Sequence, residues 1–117
     1  MSEETEAVFD EDELLKRLAG DRELGRGVVS GFLEDIPQQI GTLKRHLIQR
    51  DAPLVGRLAH TIKGAAATIG ADALRKAALE IERAGKAGEL DRAVTILSRL
   101  EDEFERLKSA IEQLNWT

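Results

Sequence analysis

Cysteine and tyrosine are both absent from this chain of 117 residues, there are two prolines, and aromatic residues make up only 3%. Without cysteine there are no disulfides, no thiolate metal sites and no cysteine nucleophile, and nothing points to an oxidising compartment. The few aromatics (Phe9, Phe32, Phe104 and Trp116) lie far apart. Together with a formal net charge of −5, that spacing disfavours stacking platforms for nucleic acid. Apolar runs are three residues or shorter, against the roughly 20 that a membrane-crossing helix needs. A soluble protein with no direct membrane contact is expected. The opening Met1-Ser2-Glu3-Glu4-Thr5-Glu6 is acidic and has no apolar core segment, so residues 1–9 read as a disordered leader and not as a signal peptide.

What the chain does contain is alanine, leucine, glutamate, arginine and lysine, a composition that favours helix. No strict alternation of apolar and polar residues runs longer than about four positions, so sheet is not indicated. One domain's length of chain remains at 10–117, enough for a single core.

Five helical segments are marked by their punctuation. Asp10, an acidic first turn and Leu14, Leu15 and Leu18 before Gly20 predict a short helix over about 11–19. Asp21 starts a second, about 22–49, whose stripe runs Leu24, Val28, Val29, Phe32, Leu33, Ile36, Ile40, Leu43 and Leu47. Pro37 lies within it and predicts a kink or brief break near 35–37. Asp51 and Pro53 start a third over 52–69, closed by Gly70. A fourth follows over 72–85, with Leu74, Ala77, Ala78, Ile81 and Ala84 on one side. The fifth keeps heptad-like spacing from Leu90 through Val94 to Leu114. Short connections between long amphipathic helices predict an all-α fold: an antiparallel up-and-down four-helix bundle with a short additional N-terminal helix.

Histidine occurs only at His46 and His60, too few and too separate for a dedicated zinc site. His46, followed by Gln49 and Arg50, reads as a solvated surface residue. His60 points about 160° from Leu58 and Ile62 on a helical wheel and so should face solvent. Its neighbours at three- and four-residue steps are Gly56, Arg57, Lys63, Gly64 and Ala67. Glycine inside a helix costs roughly 1 kcal/mol relative to alanine, so Gly56 and Gly64 call for a reason. One is to leave the ring approachable by a second protein. Lys63 suits a dianionic group, and an unshielded imidazole, with a pKa near ~6.5, is largely neutral and nucleophilic at neutral pH. The set suits a phosphoryl acceptor, although an exposed histidine on a helix is ordinarily only a surface residue.

The run His60-Thr61-Ile62-Lys63-Gly64-Ala65-Ala66-Ala67-Thr68-Ile69-Gly70 resembles the signature of histidine-containing phosphotransfer (HPt) domains: His, any residue, an apolar one, Lys, Gly, then small residues and a closing Gly. Phe32-Leu33-Glu34 before Pro37, a fourth helix ending in Ala-Gly and a long last helix extend the resemblance over most of the chain. It implies a four-helix bundle that shuttles phosphoryl groups between receiver-domain aspartates in a two-component phosphorelay. His60 would be the phosphoacceptor, Lys63 the neutralising cation and Gly64 the clearance for the receiver, with Arg57, Ala67 and Gly56 on the docking face. Glu82, 22 positions after His60, stands where some members carry glutamine; a carboxylate there could orient the imidazole yet would repel a phosphate. No intrinsic cofactor or metal is implied, and Mg2+ is expected in the partner receiver. A cytoplasmic location is implied, free or as the cytoplasmic domain of a membrane sensor kinase; an exposed acceptor and the lack of a leftover apolar face in the sequence pattern suggest a monomer.

Nothing resembles an ATP site, so the expectation is a phosphocarrier and not an enzyme, the alternative being a non-phosphorylated helical docking module for a receiver or kinase domain. The stretch Gly25–Gly31 is glycine-dense but lacks both the spacing and the preceding strand of a dinucleotide loop. Close helix contact through Gly27 and Gly31 is expected instead, with exposure beside His60 as the functional variant. Acidic clusters at 11–13 and 101–105 read as solvated faces. Residues 44–76 carry seven cations (Lys44, Arg45, Arg50, Arg57, Lys63, Arg75, Lys76) and two acids (Asp51, Asp72), a local excess of positive charge fit to steer a carboxylate-rich receiver pocket.

Overall fold

Three aspartates start helices in the same way. Asp10, Asp21 and Asp51 each accept, through Oδ1, the backbone N–H three residues on, at 3.0, 3.0 and 3.2 Å; each satisfies a donor that a helix start leaves open. The helices that follow are α1 (Glu11–Arg17), α2 (Arg22–Ile48) and α3 (Ala52–Ile69), joined by α4 (Asp72–Lys86) and α5 (Leu90–Gln113). The structure, a computed structural model, describes residues 7–116, and the described residues contain no strand. Pro37 interrupts nothing: α2 runs as one helix through it.

The stripes read from the sequence meet in one core. Val29, Leu43, Val55, Ile62, Ile81, Leu100 and Leu107 are fully buried, and Phe32 of α2 faces Phe104 of α5 with ring centroids 6.5 Å apart. Packing is most extensive between α3 and α4, then between α4 and α5 and between α2 and α3, with α2 against α5 closing the ring. Three counted core members are exposed, Leu24, Val94 and Leu114. The first two each lie 100° around the helix from a buried neighbour, Gly25 or Ala93, which carries them past the stripe's edge. Leu114 stands just beyond the last helical residue, at the C-cap of α5.

The glycines divide into those that touch and those that do not. Gly27 and Gly31 have open space where a side chain would start, so the expected close contact there does not exist. It occurs at Gly25, where a Cβ would fall 2.5 Å from the Trp116 ring. Trp116 is fully buried, with the Arg22 guanidinium 4.3 Å above its ring and Phe9 edge-on at 5.8 Å. Residues 7–9 of the expected leader are likewise tied down. Ala7 accepts from Ala73 N–H at 2.9 Å, Asp10 donates to the Gly70 carbonyl at 2.8 Å, and Val8 and Phe9 pack on the core. Residues 1–6 of that leader lie outside the described residues.

Gly70 ends α3 with φ +78° and has the Asp10 carbonyl where a Cβ would stand, which is why only glycine fits there. The contact that matters most for the site is between Gly56 of α3 and Gly85 of α4. A Cβ on Gly85 would lie 2.9 Å from the Gly56 backbone nitrogen, so the two helices touch backbone to backbone. Gly85→Ala should therefore lower the thermal midpoint, since overpacking of roughly 1–3 kcal/mol exceeds the ~1 kcal/mol gained in helix propensity. Gly41→Ala, on α2 with open space around the added methyl, should raise it. Paired melts of the two variants check both signs.

Candidate functional site

Close contact of α3 and α4 at Gly56 brings the last turns of α4 beneath the middle of α3. Glu82, on α4, is the one buried charged side chain among the described residues, at 3% exposure. Burying a carboxylate is costly unless donors surround it. Three do. His60 Nδ1 lies 2.9 Å from Glu82 Oε2, Lys86 Nζ 3.1 Å from the same oxygen, and Lys63 Nζ 2.8 Å from Oε1. The Lys63 contact is an ion pair whose angle falls short of a well-aligned hydrogen bond.

Desolvation pushes the Glu82 carboxyl up, but the close polar contacts of Lys63, Lys86 and His60 and the charge of Lys63 together outweigh it and lower its pKa from 4.5 to about 2. Glu82 is therefore ionised at any pH near neutrality, and an ionised carboxylate only accepts. The proton in the short contact must then sit on Nδ1 of His60. That assignment follows from the acceptor's chemistry, and it leaves Nε2 of the neutral ring as a free lone pair. The ring itself is 65% exposed, as the helical wheel places it.

The other expected site residues divide. Gly64, one turn on from His60, is exposed and has open space where its Cβ would be. Arg57 is exposed, with no acidic side chain within ion-pair reach among the described residues. Ala67 is half-buried. Gly56 departs from expectation: it is buried against α4, so its missing side chain serves the helix contact and not an open docking face. Lys63 also differs, for its side chain is only 25% exposed and its ammonium is engaged by Glu82.

Lys86 escaped the sequence reading altogether. Its signal was available, since it stands four residues after Glu82 and so on the same face of α4, but nothing in one sequence tells that Glu82 is buried. His46, expected to be solvated, is half-buried with Nδ1 enclosed and unpartnered; three positions after Leu43, it sits about 60° off the buried stripe. The positive excess of residues 44–76 is also reduced in space. Lys44 pairs with Glu101 at 2.6 Å and Arg50 with Asp91 at 2.9 Å, both on α5.

Beside His60 the surface sinks into a hollow of about 840 Å³ between the first half of α3 and the end of α4, bordered by Pro53, Arg57, His60, Glu82, Lys86 and Gly88. The described residues hold no cluster of side chains that could bind a metal ion, and none of their helices is long and apolar enough to cross a membrane. An exposed imidazole with its far nitrogen locked and its near nitrogen free, among cations, is suited to accept an electrophilic group carrying negative charge.

No curated protein gives a significant match to the chain. Among solved structures it is similar to histidine-containing phosphotransfer protein B from Pseudomonas aeruginosa PAO1, with a TM-score of 0.85 and 24% identity over 93% of this chain and 95% of that one; at that identity the likeness speaks for the fold. The family model of the Hpt domain matches residues 27–110, from the second turn of α2 through α3 and α4 to the last turn of α5. The chain thus belongs to the Hpt domain family, the histidine phosphotransfer domains of two-component phosphorelays, whose partners are receiver domains.

Proposed function

We propose that His60 is the phosphoacceptor of this domain and that it exchanges its phosphoryl group reversibly with receiver aspartates. The observation that carries the reading is the pairing of a 65% exposed ring with an ionised, buried carboxylate on its inner nitrogen. The Nε2 lone pair attacks phosphorus in line, the Nε2–P bond forms, and the bond from phosphorus to the receiver's aspartyl oxygen breaks with its electron pair left on that carboxylate. The Nδ1 proton stays on the ring. Glu82 then faces a ring that has become cationic, and its negative charge stabilises that state, as a carboxylate behind a catalytic imidazole does.

Glu82 thereby takes the role of orienting residue. Phosphoryl transfer is governed by positioning and charge neutralisation, and a receiver carrying Mg2+ supplies most of it. No intrinsic cofactor is needed, and the domain acts as a phosphocarrier, not as an enzyme with its own turnover. Gly64 leaves room above the helix, and Arg57 and Ala67 lie on the docking side. We place the protein in the cytoplasm as a monomer.

Incubation with a phosphorylated receiver should place an acid-labile, alkali-stable label on the wild type and none on His60→Gln. Label persisting in that variant would remove His60 as acceptor, and absence of label from a folded wild type would favour the docking-module reading. Glu82→Gln keeps an acceptor for Nδ1–H and should retain labelling, whereas Glu82→Ala should slow it at least roughly tenfold, the size of one charge-assisted hydrogen bond. Transfer time courses of the two variants decide.

A second expectation concerns acid. The folded pKa of Glu82 is depressed to about 2, so the stability it contributes is fully present above the unfolded value near ~4.5 and is lost as pH falls through that window. Denaturant melts between those limits should show the wild type converging on Glu82→Gln, whose midpoint lacks this component of the pH dependence.

A further inference from the structure

Two ammonium groups meet one carboxylate, yet they are not equivalent. Oε1 of Glu82 has Lys63 alone, whereas Oε2 has both the His60 ring nitrogen and Lys86. Lys63 is 25% exposed and Lys86 is 70% exposed. If Lys63 swung out to a phosphoryl group on His60, Oε1, which is buried and has no hydrogen bond, would lose the one cation beside it, and a buried charge left without its counter-charge is strongly disfavoured. Were Lys86 to swing out instead, Oε2 would keep the His60 N–H. Position agrees with this, because Lys86 and Arg57 border the hollow beside His60 and Lys63 does not.

From this asymmetry we infer that Lys86, and not Lys63, is the residue that contacts the phosphoryl group on His60, while Lys63 stays on Glu82 as the anchor of the carboxylate. The inference rests on His60 being the acceptor and assigns a division of labour within that site. When the Nε2–P bond forms, two negative charges arrive within reach of an ammonium that is already the ring's neighbour across one oxygen. Lys86 exchanges a shared carboxylate oxygen for an unshared phosphoryl oxygen. The Nδ1 proton, the ring and Lys63 do not move. The contact exists only with the phosphoryl group present, so it stabilises the phosphorylated form and the approach to it, and leaves the resting bundle unaffected.

The test uses single-turnover transfer from a phosphorylated receiver to the whole chain. Lys86→Gln should cut the rate of appearance of phosphorylated His60 roughly tenfold and shift the equilibrium towards the phosphorylated receiver by a similar factor. Lys86→Arg should restore both to within about threefold, because it returns a cation with donors. The thermal midpoint should fall less in Lys86→Gln than in Lys63→Gln, because Oε2 of Glu82 keeps the His60 N–H, and a purely structural role for Lys86 would leave the transfer rate of the folded variant unchanged. Lys63→Gln should lower the midpoint further, since it takes from the buried Oε1 of Glu82 its one neighbouring cation. Normal labelling of the wild type together with unaltered rate and equilibrium in Lys86→Gln overturns this inference alone. A wild type that takes no label overturns the acceptor reading and this inference with it.

Discussion

A carboxylate sealed between two helices must be surrounded by donors or it will not stay ionised, and here that requirement sets the arrangement of the whole site. Glu82 is 3% exposed, and its negative charge is held by an imidazole and two ammonium groups drawn from both α3 and α4. Replacing such a cluster by apolar residues often leaves a protein as stable as before, so stability alone gives little reason to keep it. What the cluster provides is orientation. It fixes the tautomer of His60 and the direction of its free lone pair, a geometric service that an apolar contact cannot give.

The depth at which Glu82 lies depends in turn on how near α4 comes to α3. Helices separated by ordinary side chains stand about 8–10 Å apart; at Gly56 and Gly85 backbone meets backbone. Four residues before Lys86 and three before Gly85, Glu82 is carried under His60 by that approach, and a carboxylate side chain is long enough to reach Nδ1 from there. The small residues of α3 and α4, among them Ala59, Ala66, Ala77, Ala78 and Ala84, all fully buried, extend the same close packing along the seam. Alanine and glycine in the sequence thus express a distance between helices, and the distance expresses a hydrogen bond.

Much of this was legible without coordinates, and the boundary is physical. Aspartate caps, acidic first turns and closing glycines act within one turn of chain, so the helix limits at Asp10, Asp21, Asp51 and Gly70 could be read directly. The outward direction of His60 follows from angles along a single helix. Contacts between helices were out of reach. Glycine deficits at Gly27 and Gly31 look the same in sequence as the one at Gly25, and only the return of Trp116 from the far end of the chain distinguishes them. The role of Gly56 was misjudged for the same reason: it sits at a four-residue step from His60, but a partner 29 positions away had already taken its empty side. Residues 7–9, Ala-Val-Phe, read as leader because they follow the acidic run that opens the chain, and nothing in the sequence showed that Ala7 and the adjacent Asp10 bond to the backbone of Ala73 and Gly70. Lys86 was passed over because its importance is conditional on the burial of Glu82.

The substitution of carboxylate for the amide found in some relatives looks unfavourable for a phosphate carrier until the charges are summed over the cluster. With a neutral ring, one carboxylate and two ammonium groups leave a single positive charge, which attracts a phosphoryl donor. With the phosphoryl group on Nε2 and the proton retained on Nδ1, a cationic ring and a dianion join that sum, and the formal charge returns to zero. An amide at the same position would leave the occupied cluster positive and bind the dianion more firmly. A carrier has to release what it accepts, and uniformly tight binding of the loaded state slows the onward step. With His60 as the proposed acceptor, the carboxylate would serve both directions of transfer: it would raise the nucleophilicity of the empty ring, and it would keep the loaded cluster from holding its phosphoryl group too well.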